Sequence, residues 1–243
     1  MGSRILVIAL ACMLGAWTQD DKQKEDEAKA KVAEFNKQLR TCKTDTDVAN
    51  ALRALGSMQH PKILAELKKW LTKPSMEISI GAAEQIGRYK NDKDAAETLL
   101  GGTNRKEKDV VVKCLRYAGD VGYKGVTAKV AGFFKHREVD VAKEAVDTCG
   151  SLKSRDAIEP LIGLLKELDA IKEDKNQPGS GPDFVPGGVP AGAGVADDQA
   201  ARKQQLTGAV LTALNRITGQ SYQALKDWMG WWSKNKATFK DPQ

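Results

Sequence analysis

The sequence predicts an all-α fold, an α-solenoid of about five helix pairs followed by a C-terminal capping helix. The first observation behind this prediction is an internal repeat, whose units end in glycines spaced 31, 32 and 31 residues apart. These glycines are Gly56, Gly87, Gly119 and Gly150. The second observation is an apolar stripe with helical spacing before each glycine. Since short amphipathic helices cannot bury their apolar faces alone, successive pairs must stack to form the core.

Small and apolar residues recur at fixed distances before each glycine and define the second helix of each pair. The residues five, four and one before the glycines are Ala51, Leu52 and Leu55, then Ala82, Ala83 and Ile86, then Cys114, Leu115 and Ala118, and finally Ala145, Val146 and Cys149. Small side chains on this stripe allow a neighbouring helix to approach closely. The glycine itself is predicted to end the helix in the left-handed conformation of a C-cap.

A second amphipathic stretch follows each glycine and predicts the first helix of the next pair. Its apolar residues in the first case are Ile63, Leu64, Leu67 and Leu71. An opening helix is expected over about 25–42 and a closing helix over about 200–217. Together these elements complete the pairs at both ends of the array.

The register resembles that of short HEAT-like repeats of about thirty residues, of the PBS-lyase type, found in many bacterial proteins. The matching features are Leu55-Gly56 or Ile86-Gly87, a polar turn, and then a helix start such as Pro61-Lys62-Ile63 or Arg155–Ile158. The resemblance covers roughly residues 25–220. It implies a fold and an interaction role, and it implies no activity. Tetratricopeptide and ankyrin repeats fit less well, because their periods or turn motifs are missing.

The first eighteen residues are predicted to be a signal peptide. Arg4 precedes an apolar run from Ile5 to Trp17, and the sequence becomes charged from Asp20 onward. Cleavage is expected between Ala16 and Gln19, which would place the protein in the periplasm, in the cell envelope or outside the cell. Two alternatives stay open, a lipid anchor on Cys12 and an uncleaved anchor.

The rest of the chain divides by composition into three segments. Residues 19–171 carry the repeats, residues 172–199 form a Gly- and Pro-rich insertion that is expected to be disordered, and residues 200–243 supply the last repeat helix and a Trp-rich cap. The insertion is interpreted as a solvated spacer, with Phe184 and Val185 as its only candidates for docking.

Three tryptophans near the C-terminus share one face of the predicted capping helix. Trp228, Trp231 and Trp232 are spaced i, i+3 and i+4. A terminal repeat must cover the open end of the core, so packing of the cap is the favoured interpretation. The alternative is an aromatic platform for a sugar ring or a peptide.

No catalytic, metal-binding or nucleotide-binding motif appears in the sequence, so we expect no enzyme activity, cofactor or metal. The histidines, His60 and His136, lie in predicted turns, and the cysteines of the repeats, Cys114 and Cys149, are predicted to be buried thiols. The net charge is +6, but acidic and basic residues are interleaved along the chain. This pattern argues against a nucleic-acid partner, since such proteins concentrate their basic residues on one face.

Charges of alternating sign stand three residues before the glycines. Arg53, Glu84, Arg116, Asp147 and Arg216 are predicted to form a ladder of ion pairs between repeats. The second helices also carry the candidate contacts for a protein partner. These candidates are Asn50, Arg53, Glu84, Gln85, Lys113, Arg116, Tyr117, Glu144 and Asp147.

The predicted function is therefore that of a non-enzymatic, exported scaffold for protein–protein interaction. Two alternatives stay open at this point. One is a binder of cell-envelope carbohydrate or peptide that uses the three tryptophans, and the other is an accessory subunit of an exported enzyme complex.

Overall fold

The structure, a computed structural model, describes the backbone of residues 3–171 and 193–241 and the side chains of residues 20–171 and 199–241. The predicted lipid anchor at Cys12 and the side chains of the predicted signal peptide lie outside this part of the chain. Most of the predicted insertion, with its docking candidates Phe184 and Val185, lies outside it as well.

Helices account for the regular structure of the described residues, which contain no strand. The helices are α1 (Ser3–Leu39), α2 (Asp45–Leu55), α3 (Pro61–Leu71), α4 (Met76–Ile86), α5 (Lys93–Gly102), α6 (Lys108–Val121), α7 (Thr127–Ala131), α8 (Val139–Leu152), α9 (Ile158–Ala170), α10 (Ala193–Thr218) and α11 (Leu225–Asn235). Short 3-10 turns flank α7 and precede α9.

The chain divides into two compact units, Met1–Lys90 and Asn91–Gln243. In the first unit α1 packs on α2 and α3 packs on α4, while α2 and α4 lie side by side. In the second unit the pairs are α5–α6, α7–α8 and α9–α10, with α8 between α6 and α10, and α11 covers α9. The fold is thus an α-solenoid of paired helices, as the sequence predicts.

Several helices begin at side chains that cap their free N–H groups. Thr44 accepts from the backbone of Asp47 at 3.1 Å, and the Asp47 carboxylate accepts in return from the Thr44 backbone at 3.0 Å, which completes a capping box for α2. The side chains of Ser75 and Asp92 likewise accept from backbone N–H groups in the first turns of α4 and α5. Local sequence therefore fixes where these helices start.

The predicted apolar stripes form the core of both units. The residues five, four and one before each glycine are all buried, and the most exposed of them, Ala51, shows only 7 % of its surface. Apolar residues of α3 and α9 are buried as well, among them Ile63, Leu67 and Leu161. Stacking of pairs thus removes from water the face that no single helix could bury.

The prediction that the repeat glycines end their helices as C-caps is confirmed for Gly56 and Gly87, but it is wrong for Gly119 and Gly150, and none of the four is left-handed. The first two have φ of −71° and −59°, while Gly119 and Gly150 lie inside α6 and α8. The left-handed residues that end α6 and α8 are Gly122, with φ of 78°, and Lys153, with φ of 49°. These helices continue beyond the glycine because their next residues keep helical backbone angles.

Close approach between neighbouring second helices explains the repeat glycines better. A Cβ atom at Gly56 would lie 2.5 Å from Cβ of Gln85 on α4, nearer than real Cβ atoms come. A Cβ atom at Gly150 would lie 3.0 Å from Cα of Ala213 on α10. The period in the sequence therefore marks where one helix of the stack touches the next.

Two end helices are longer than the sequence predicts. Helix α1 begins at Ser3 rather than near residue 25, and residues 20–39 contain no glycine or proline that would interrupt it. Helix α10 begins at Ala193 rather than near residue 200, since no proline follows Pro190 before the helix ends. Among the described residues, no helix combines the length and the apolar character needed to cross a bilayer.

Candidate functional site

The shortest ion pair on the predicted contact surface lies on α6 and α8 in the second unit. The Arg116 guanidinium donates from Nε and Nη2 to the two carboxylate oxygens of Glu144, at 3.0 and 2.6 Å. This hydrogen-bonded pair raises the pKa of Arg116 above its ordinary value. Because both ends of the pair are fixed, the two helices present these charges in a defined geometry.

The other predicted contacts on this face surround the pair. Lys113, Tyr117 and Asp147 are half-buried. Asp147 does not pair with Arg116 as the ladder requires, and its Oδ2 lies 3.4 Å from Nζ of Lys143 on its own helix. Helical side chains lean toward the N-terminus, so Arg116 reaches an acid one turn earlier on α8.

The first unit carries the corresponding face on α2 and α4. Arg53 Nε lies 3.8 Å from Oε2 of Glu84, and Arg53 also donates to Oδ1 of Asn50 at 2.7 Å. Arg88 approaches the other oxygen of Glu84 at 3.9 Å. The ladder contact predicted between Arg53 and Glu84 is present, but it is longer and more exposed than the pair on α6 and α8, so it contributes little stability.

Gln85 is not on this surface. Its side chain is fully buried between α4 and α2, where it faces Gly56. A partner could not reach it without separating the helices. Arg216, the last member of the predicted ladder, is exposed on α10 with its Cδ close to Gly150.

Two further contacts between equivalent positions of neighbouring repeats, outside the predicted ladder, were not identified in the sequence. Thr46 donates to Glu77 at 2.8 Å in the first unit, and in the second unit Nζ of Lys108 lies 2.7 Å from Oδ2 of Asp140. The partners are separated by 31 and 32 residues, the repeat period. Comparing complementary side chains at that spacing outside the apolar stripe could have found them.

The three tryptophans lie on α11 but do not form an open platform. Trp228 is fully buried and donates from Nε1 to the Tyr222 carbonyl at 3.0 Å, and Trp232 is only 9 % exposed. Trp231 packs its ring edge-on against Trp228 and Phe239. The cluster therefore buries its aromatic surface within the second unit, as packing of a cap requires.

Both histidines accept a backbone hydrogen bond in a turn, and His60 is the N-cap of α3. His60 Nδ1 accepts from the backbone N–H of Lys62 at 3.2 Å where α3 begins, and His136 Nδ1 accepts from the backbone of Glu138 at 3.1 Å before α8. His60 Nε2 also lies 3.4 Å from Glu25. The Nδ1 atoms of the two histidines thus stabilise the turns that precede α3 and α8.

The thiols of the repeats are buried and unreactive. Burial raises the pKa of Cys114 and of Cys149 to about 12, so neither forms a thiolate near neutral pH. Across the part of the chain with described side chains, no group of three or more His, Cys, Asp or Glu residues is arranged to hold a metal ion.

Comparison with protein families gives a match over part of this helix array. Residues 33–118 match the family model for HEAT repeats. The match runs from the end of α1 into α6, and with the paired helices it supports a HEAT-like repeat protein. The comparison with curated proteins gave no match. HEAT repeats are commonly used as scaffolds for protein interaction.

Proposed function

We propose that this chain is an exported, non-enzymatic scaffold that binds another protein through the exposed face of α6 and α8. The observation that carries the proposal is the pairing of Arg116 with Glu144 beside Tyr117. Arginine and tyrosine are the residue types that most often dominate protein interfaces. Here the arginine is held in place before binding, which lowers the entropy lost when a partner docks.

The repeat architecture supports the same function. Stacked helix pairs give an extended surface whose side chains can change without disturbing the core, because each repeat contacts only its neighbours. The face combines both signs of charge around Tyr117, so it fits a folded protein surface of mixed polarity better than a uniformly acidic polymer.

Export is proposed from the composition of the N-terminus. A single arginine, a short apolar run and an abrupt change to charged residues at Asp20 are typical of a signal peptide. Cell fractionation followed by N-terminal sequencing of the mature protein tests this part. A new N-terminus near Gln19 supports it, acylation of Cys12 identifies a lipoprotein, and an intact N-terminus in the cytoplasm contradicts export.

The interaction itself is tested by affinity capture with crosslinking from the native envelope, using a tagged chain. We expect the combined change Arg116→Ala, Tyr117→Ala and Asp147→Ala to abolish capture of the dominant partner while leaving helicity intact. Mass spectrometry measures capture of the partner, and circular dichroism measures the helicity of the same variant.

A matched control changes exposed residues elsewhere in the second unit. The combined change Asp94→Ala and Arg137→Ala removes one negative and one positive charge, as the first variant does, from α5 and from the turn before α8. Capture that survives this control but not the first variant supports the α6–α8 face. Capture that survives both variants contradicts the proposed site.

A further inference from the structure

A cleft of about 620 Å³ lies between α9, α10 and α11 in the second unit. Leu165, Leu225 and Met229 supply apolar surface to it. The Met229 side chain is 46 % exposed, and it is one of two large apolar side chains that are exposed in the part of the chain with described side chains. An exposed apolar side chain at the edge of such a cleft is typical of a surface that another molecule covers.

The cleft also carries one acidic and one basic side chain that are not neutralised within the described residues. Asp169 lies near the end of α9, and Lys226 lies in the first turn of α11, three residues before Met229. Both side chains are exposed, and neither has an ion pair or a hydrogen bond among the described residues. Lys203, the other charged residue of the lining, is already held, because it donates from Nζ to the Ile171 carbonyl at 3.0 Å. The cleft therefore has one unpaired charge of each sign.

These features make the surface complementary to itself. A two-fold contact brings the same surface of two chains together, so each feature must meet its complement on an identical copy. The complement of the projecting Met229 side chain is the apolar cleft, and the complement of Asp169 is Lys226. A surface with charges of one sign would repel its own copy, whereas one charge of each sign can pair twice across the two-fold axis.

We propose that this cleft binds a second copy of the chain, in a two-fold dimer in which Met229 of each copy enters the cleft of the other. Asp169 of each copy pairs with Lys226 of the other copy, so that two ion pairs flank the methionines. Methionine suits this contact, because its flexible side chain adapts to an irregular cleft. The contact uses other helices than the α6–α8 face and does not depend on the function proposed for that face.

Sedimentation velocity over a range of protein concentrations tests for the dimer. We expect the wild type to associate into dimers that dissociate on dilution. Met229→Glu places a charge next to its own copy in the contact, so we expect it to weaken association by about a hundredfold. Met76→Glu is the matched control, because Met76 is exposed to a similar extent, 45 %, but lies in the first unit. We expect this control to leave association unchanged.

Exchange of the two charges tests the pairing between chains. Asp169→Lys alone and Lys226→Asp alone each bring like charges together in a dimer, so we expect each variant to be monomeric. A mixture of the two variants should form a dimer with one chain of each kind, since every altered charge then faces its opposite. A pair formed within one chain would not be restored by mixing. These substitutions change exposed side chains, so we expect the fold to survive them.

Three results would overturn the proposal. A wild type that stays monomeric up to about 1 mM would leave the cleft to a different molecule. A dimer that is unaffected by Met229→Glu would be formed by another surface. A mixture of Asp169→Lys and Lys226→Asp that stays monomeric would show that these two residues do not pair between chains.

Discussion

The α2–α4 contact of the first unit and the α6–α8 contact of the second are built on the same repeat positions. In each, a glycine on one second helix faces the residue two positions before the glycine of the next repeat. Gly56 faces Gln85, and Gly119 faces Thr148. The four residues occupy equivalent places, yet the two contacts differ in both fit and polarity.

In the second-unit contact the buried polar group has a hydrogen-bond partner, and in the first-unit contact it has none among the described residues. Thr148 donates from Oγ1 to the Leu115 carbonyl at 3.0 Å, so its buried hydroxyl is satisfied. The Gln85 amide is equally buried, but among the described residues neither its nitrogen nor its oxygen has a hydrogen-bond partner. A short hydroxyl can reach the neighbouring backbone from this position, whereas the longer amide fills the space beside Gly56 instead. Repeat position sets the close approach, and side-chain length decides whether a polar group there is paired.

The largest expected effect on stability comes from changing the close approach between the two helices. Gly56→Ala places a Cβ atom 2.5 Å from Cβ of Gln85, so we expect a loss of about 1–3 kcal/mol from the overpacked contact. Gly119→Ala is the matched control, because its Cβ atom would lie 3.4 Å from Cγ2 of Thr148, at ordinary contact distance. That residue is inside α6, where alanine favours the helix by up to about 1 kcal/mol. Urea unfolding of both variants measures the difference, and equal losses would contradict it.

The next largest effect comes from removing the buried polar group of each contact. Gln85→Met keeps the length of the side chain and removes the unpaired amide, so we expect a gain of about 1 kcal/mol. Thr148→Val keeps the shape and removes a satisfied hydroxyl, so we expect a loss of about 1 kcal/mol. Thermal melts of the two variants and of the wild type give the comparison. If Gln85→Met lowers the melting temperature, the amide has a partner and the contrast between the units fails.

Sequence periodicity was sufficient for the helix pairs because burial depends on a stripe that recurs within each helix. It was insufficient for the glycines, since their role depends on a residue about thirty positions away on the next helix. Nothing local to Gly119 distinguishes a helix interior from a helix end. The left-handed residues, Gly122 and Lys153, come three positions after the repeat glycine and differ between repeats.

Only part of the contact surface could be predicted, because its contacts also depend on residues about thirty positions away on the next helix. Spacing placed Arg53 opposite Glu84, and that contact is present. The same spacing placed Arg116 opposite Asp147, but a long side chain reaches Glu144 one turn away. The burial of Gln85 was not predicted. A polar residue beside the apolar stripe is expected to be exposed, unless it is known that a glycine, here Gly56, faces it from the next helix.

The two units also differ in how acid should affect their helix starts. In the first unit the carboxylate of Asp47 accepts from the backbone N–H groups of Lys43 and Thr44, which lowers its pKa below 3.8. In the second unit Arg105 donates to both oxygens of Glu107, at 3.0 and 2.9 Å, and lowers the pKa of that carboxyl to about 2. Both groups favour the folded chain only while they are ionised.

The smallest expected effect follows from these shifts. Because the pKa of folded Glu107 lies below its ordinary 4.5, its contribution is complete above pH 4.5 and disappears as the pH falls toward about 2. Glu107→Gln removes that contribution at every pH, so its urea midpoint should fall less than that of the wild type across this window. Asp47→Asn should flatten the curve only below about pH 3.8, where its own carboxyl begins to protonate when unfolded. Asp47 is exposed and Glu107 is only half-buried, so the changes should be small. A Glu107→Gln curve that runs parallel to the wild type from pH 5 to pH 2 would mean that Arg105 holds this carboxylate no more tightly in the folded chain than water does in the unfolded one.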